Sequence, residues 1–220
     1  MIATELEPLE TLADLMERLG NVPLERIRLH PFPGTATVED VLRLCDGEPK
    51  CLCELVDGVL VEKVCRHLES RLAARLLQFL QNYLELHDLG ILTGADGPLQ
   101  ILANQVRFPD VAFIGYDRIP EGADATTPVP NWIPSLAVEI LSPGNTKAEM
   151  TRKLRDYFEA GVELVWYVDP SDRTVRVYHS PESVTTLTEA DNLDGEQLLP
   201  GFRLSIRDWF DRASRIRPNA

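Results

Sequence analysis

Ser135-Leu-Ala-Val-Glu-Ile-Leu-Ser-Pro143 has the pattern of a buried strand interrupted by one acid. Leu136 to Leu141 is apolar except for Glu139, and Ser142-Pro143-Gly144-Asn145 ends the run as a turn. A carboxylate in such a run is costly to bury unless it is paired, protonated or holding a metal. Alternate strand residues share a face, so Glu139 points with Ala137 and Leu141, away from Val138 and Ile140. Twenty-nine positions earlier, Asp110 opens a second apolar run, Asp110-Val-Ala-Phe-Ile114, directly after Pro109. If the two strands are neighbours, their acids can share one hard cation. Mg²⁺ takes one or two carboxylates plus waters and phosphate oxygens at about 2.1 Å. Asp110 after a proline also fits a simple turn cap.

Downstream, Thr146 to Ala160 is helical in pattern, with Met150, Leu154, Tyr157 and Phe158 predicted to face inward and Gly161 at the stop. Positions 149, 153 and 157 hold Glu, Lys and Tyr and stack on one side of that helix. A helix that starts so close to the end of the Glu139 strand can fold back over it. Lys153 could then supply positive charge to a hydrolytic transition state. The plainer alternative is an exposed Glu149–Lys153 ion pair, worth about 0.3–0.5 kcal/mol.

Working outward, Cys51 to Lys63 reads as a hairpin about Asp57-Gly58, with Glu54 inside its first strand between apolar neighbours. Leu68, Leu72, Leu76, Phe79, Leu80, Tyr83 and Leu84 then mark a long amphipathic helix. Arg66, His67, Arg71 and Arg75 populate its solvated side. Strand-like pieces follow over Gly90 to Gly115, and a proline-rich loop covers 117–134. After the helix come a buried strand, Glu163 to Asp169, an alternating edge strand, Thr174 to Tyr178, weaker strands at Val184–Leu187 and Phe202–Ile206, and a terminal helix. Residues 5–19 and 38–44 are predicted helices. The order predicts an α/β fold, a mixed sheet flanked by helices, over residues 38–212. Residues 1–37 form an N-terminal helical extension, and 213–220 a C-terminal tail.

The 220 residues carry 22 basic and 35 acidic side chains, a formal charge of −13. That balance argues against a surface that grips nucleic acid everywhere, because such binding rests on phosphate neutralisation; it leaves room for a local basic groove. Arg118, Arg152, Lys153, Arg155, Arg173 and Arg176 cluster in sequence around the acids and are the candidates for one. No apolar stretch approaches the length needed to cross a bilayer. The acidic N-terminus is unlike a secretory signal, so the cytoplasm is the expected compartment. The cysteines at 45, 51, 53 and 65 are then expected to be reduced thiols acting as small hydrophobes. Their spacing is not that of a structural zinc site.

Several segments together resemble the Uma2 family, restriction-endonuclease-like proteins of the PD-(D/E)XK nuclease fold. They are Glu54-Leu-Val-Asp-Gly58, the helix beginning near His67, Pro109-Asp110-Val-Ala-Phe113, Leu136 to Pro143, Lys153 with Tyr157, and Ala160-Gly161-Val162 leading to Trp166-Tyr-Val-Asp-Pro170. The resemblance spans roughly residues 38 to 210. It implies a metal-dependent endonuclease cleaving DNA phosphodiester bonds with Mg²⁺ or Mn²⁺. Asp110 and Glu139 would be metal ligands, with Glu54 assisting. Lys153 would be a catalytic lysine displaced onto the helix, because Leu141 stands where the fold usually has it. Where the family often has Asp, this chain has Glu149. The resemblance also implies a homodimer. Two alternatives compete: a catalytically inactive member kept for binding or scaffolding, and a hydrolase of small nucleotide or phosphate substrates.

Overall fold

A computed structural model of the chain describes residues 9–64 and 66–216. Helix α1, Leu12–Arg18, opens on a capping box between Thr11 and Asp14; residues 1–8, where the predicted helix begins, lie outside the described residues. A short 3₁₀ turn, Leu24–Arg26, follows. Helix α2, Val38–Cys45, opens on the Thr37/Asp40 box. Strands β1 (Cys53–Val56) and β2 (Val59–Glu62) make the predicted hairpin. Both turn residues have positive φ, Asp57 at 50° and Gly58 at 74°, which is why the turn wants Asp-Gly. The long helix is α3, His67–His87. Strands β3 (Gly90–Gly94), β4 (Leu99–Leu102), β5 (Gln105–Arg107), β6 (Val111–Gly115) and β7 (Leu136–Ile140) lead to helix α4, Lys147–Ala160. Strands β8 (Leu164–Asp169), β9 (Thr174–Tyr178), β10 (Val184–Leu187), β11 (Asn192–Asp194) and β12 (Arg203–Ser205) precede helix α5, Ile206–Ser214.

The main sheet has the order β10-β9-β8-β7-β6-β3, with β7 and β8 parallel and every other pair antiparallel. Thr174–Tyr178, predicted at the edge, lies one strand in, because Val184–Leu187 pairs along its outer side. Period-two alternation divides the core. Val111, Phe113, Leu136, Val138, Trp166 and Val168 pack against α3 and α5. Ala112, Ile114, Ala137, Val165 and Tyr167 face α4, with Leu99 and Ile101 of β4. Glu139 alternates with Ala137's opposite neighbours and therefore lies on the α4 side.

A second sheet, β2-β1-β5-β4, closes over that side. Its Cys53, Leu55, Leu60 and Val106 face α2. Val56, Val59 and Val61 face Leu15, Leu19, Val22 and Ile27 of the N-terminal arm. Strand β5 has no signature in the sequence, since only one of its three residues is apolar, yet all three are buried. Among the described residues, no helix is long and apolar enough to cross a membrane.

Candidate active site

Helix α4 reaches the sheet because both of its ends are fixed locally. Thr146 and Glu149 form a capping box at its start, and Gly161, with φ 97°, closes its C-terminus in the left-handed conformation that glycine accepts without strain. Met150, Leu154 and Tyr157 pack on the sheet, and the Tyr167 hydroxyl donates to the Met150 carbonyl at 2.8 Å. This sets Lys153, Asp156 and Tyr157 on the face that looks at Glu139.

Lys153 Nζ stands 2.7 Å from Glu54 Oε1 and 2.8 Å from Glu139 Oε1. The Tyr157 hydroxyl donates to the same Glu139 oxygen at 2.5 Å. Glu54, brought in by β1, also takes Arg107 NH1 on Oε2 at 2.8 Å and the Phe108 amide on Oε1 at 3.3 Å. The other arm of Arg107 binds the Asp156 carboxylate. The chain of contacts therefore runs Asp156–Arg107–Glu54–Lys153–Glu139–Tyr157, and none of its charged members is more than 8% exposed. Asp110 sits beside it. Its amide donates to the Val138 carbonyl at 2.9 Å and its Oδ2 accepts from the Ile140 amide at 2.7 Å, so it is pinned to the residues flanking Glu139. Its Oδ1 faces Lys63 Nζ at 2.9 Å.

Three of the four residues singled out from sequence thus meet directly, and the fourth adjoins Glu139 through the strand pairing. Reading the sequence does not find Arg107, Asp156 or Lys63. Arg107 leaves the same trace as Glu139, a charge between apolar neighbours, Val106 and Phe108. The Glu149–Lys153 ion pair does not form. Glu149 instead takes a two-pronged bond from Arg26, at 2.7 and 3.0 Å, because the N-terminal arm crosses the start of α4.

Burial raises Glu139, and although Lys153 pulls the other way, the nearby Asp110 and Glu54 charges keep it above the ordinary glutamate value. Glu54 is the reverse case. Burial alone would raise it, but Lys153 and Arg107 hold it well below the usual carboxylate range. Burial disfavours the Lys153 ammonium, yet Glu139 and Glu54 more than restore it, so Lys153 stays a cation at neutral pH.

Among the described residues, no three His, Cys, Asp or Glu side chains group as ligands for one metal ion. The donor chemistry fits a hard cation at Asp110 and Glu139. Both present carboxylate oxygens, one or two of which suffice for Mg²⁺. Lys153 and Tyr157 both reach Glu139 through Oε1. Glu54 faces two buried cations, Lys153 and Arg107, and Asp110 one, Lys63. A cavity of about 10 Å³ beside Glu54 and Arg107, roofed by Leu19 and Val22, holds a water at most. Asp110, its side chain 15% exposed, marks the open rim of the cluster.

Four of the six basic residues clustered in the sequence are turned to acids of the protein itself. Arg118 is paired with Glu163, Arg152 with Asp57, and Arg173 with Glu189 and Asp211 on the α5 side. Lys153 is enclosed by acids.

A sequence model of the Uma2 family, described as "Putative restriction endonuclease", matches residues 38–207. The chain belongs to the Uma2 family. The match begins at α2 and takes in the two larger sheets, the β11–β12 pair, the ion cluster and the start of α5; the N-terminal arm that roofs the cluster lies outside it. A crystal structure described as a "putative nuclease belonging to DUF820" from Anabaena variabilis superposes with a TM-score of 0.66 at 19% identity, covering 80% of this chain and 98% of that one. The two share a fold. No protein of curated function matches the chain.

Proposed function

We propose that this Uma2 protein is a Mg²⁺- or Mn²⁺-dependent endonuclease acting on DNA, with Asp110 and Glu139 holding the metal and Lys153 the catalytic lysine. The observation that carries the reading is the Lys153 ammonium, delivered from α4 to within 2.8 Å of Glu139 while Leu141 fills the expected strand position. Bound to Asp110 and Glu139, the metal would supply Lewis-acid polarisation of a phosphoryl oxygen and a water of lowered pKa. Lys153, a permanent cation, stabilises the negative charge that builds up on the phosphate and orients the attacking water; its raised pKa makes it a poor proton acceptor. Tyr157 and Lys153 hold Glu139 by Oε1, and we assign Oε2 to the metal. Glu54, engaged by Arg107 and Phe108, we assign to positioning Lys153.

Nicking of supercoiled plasmid by purified protein with Mg²⁺ or Mn²⁺ tests this. Glu139→Gln should lose the activity, and absence of nicking by the wild type, or equal nicking by the variant, overturns it. A charge of −13 and the self-paired arginines favour a second reading, hydrolysis of a small nucleotide. That reading predicts turnover of nucleotides with little of the salt dependence that DNA binding brings.

A further inference from the structure

The entry to strand β1 carries a second pair of reactive groups that the ion cluster does not use. Cys53 opens the strand on the α2 face, opposite Glu54, and Cys51 lies two positions earlier with its thiol on the same side. Their Sγ atoms are 3.5 Å apart, in van der Waals contact. Arg28 NH2 lies 3.3 Å from the Cys51 sulfur, and Arg28 is itself anchored by the Glu62 carboxylate. Cys51 is partly exposed whereas Cys53 is fully buried. Burial, together with its hydrogen bond to Cys51, pushes the Cys53 thiol up to about 12, so Cys53 keeps its proton. The guanidinium stands where it can pair with negative charge on the outer sulfur. An accessible sulfur beside a cation and a buried thiol behind it is the division of labour of a redox dithiol.

We propose that Cys51 and Cys53 form a hydroperoxide-reactive dithiol that closes to an intrachain disulfide. The Cys51 thiolate, its proton released to solvent, attacks a peroxide oxygen; the O–O bond breaks, Cys51 is oxidised to the sulfenic acid, and the departing hydroxide takes a proton from solvent to give water. The Cys53 sulfur then attacks the Cys51 sulfur. The S–S bond forms, the S–O bond breaks, and the departing hydroxide takes the Cys53 proton to give a second water. The sulfurs must close from 3.5 Å to about 2.05 Å. Cys51 precedes Cys53, the first residue paired in the β1–β2 ladder, and its amide is held by the Leu44 carbonyl, so the closure falls on the chain ahead of the strand. None of this depends on the chemistry assigned to Glu139.

The test treats reduced full-length protein with hydrogen peroxide, blocks remaining thiols with iodoacetamide and maps the peptides by mass spectrometry. The peptide holding Cys51 and Cys53 should lose two hydrogen atoms and refuse iodoacetamide, dithiothreitol should reverse both effects, and Cys45 should stay alkylated. With Cys53→Ser, Cys51 should stop at a sulfenic acid that dimedone captures. Unchanged alkylation of both thiols after peroxide overturns the proposal, as does an oxidised Cys51 bonded to Cys45, to Cys65 or to a second chain. The wild-type map needs no variant, so the test holds even where Cys53→Ser folds poorly.

Discussion

Lys153 is an ammonium kept charged inside the protein by two carboxylates, and removing it leaves both without their shared cation. Breaking a buried pair in this way costs about 3–5 kcal/mol, so Lys153→Met should lower the melting temperature by several degrees. Glu54 gives the matching pH dependence. Its folded pKa lies below the ordinary 4.5, so the stability it contributes is complete above that value and is lost as pH falls through the folded pKa. Denaturant titrations in chelator should therefore show wild type ahead of Glu54→Gln at pH 7, with the gap narrowing as the pH drops below 4.5. A gap independent of pH would show that Glu54 is not held as a carboxylate by Lys153 and Arg107.

The N-terminal arm and α4 meet through a few close contacts that should be sensitive to single substitutions. Arg26 binds Glu149, the Glu62 carbonyl and the Gly144 carbonyl together, and Arg26→Ala should cost about 3 kcal/mol and speed amide exchange at the first turn of α4. Gly20 has φ +72°, and a Cβ there would come within 2.4 Å of the Glu149 backbone nitrogen. Gly20→Ala should therefore loosen the arm from α4, seen as faster proteolysis N-terminal to residue 37, while an arm as protease-resistant as wild type would contradict this packing. At this scale much of the fold is legible in the sequence. Hairpin, long helix, central strand and following helix each carry a clear period and a turn or cap signal. The three residues of β5 give no period, and the arm's docking onto α4 depends on Arg26 meeting a partner more than a hundred positions away. The site is legible where a charge interrupts an apolar run. It is not where the residue's role is to answer another buried charge, as with Lys63 and Asp156.

In the whole molecule, one sheet face is closed by α3 and α5, and the other holds the ion cluster between α4, the second sheet and the arm. The acidic surface and the self-paired arginines limit how far DNA can be gripped outside the cluster's rim, so nicking should fall with salt at a slope set by only a few neutralised phosphates. A slope near that of a broad basic groove would contradict this surface. The central claim is that a lysine on α4 serves the acids of the sheet. It is tested most directly by the plasmid-nicking rate of Lys153→Met against wild type at saturating Mn²⁺, with folding of the variant checked by circular dichroism. The expected result is a loss of about a hundredfold or more; a folded Lys153→Met protein nicking at the wild-type rate would contradict it.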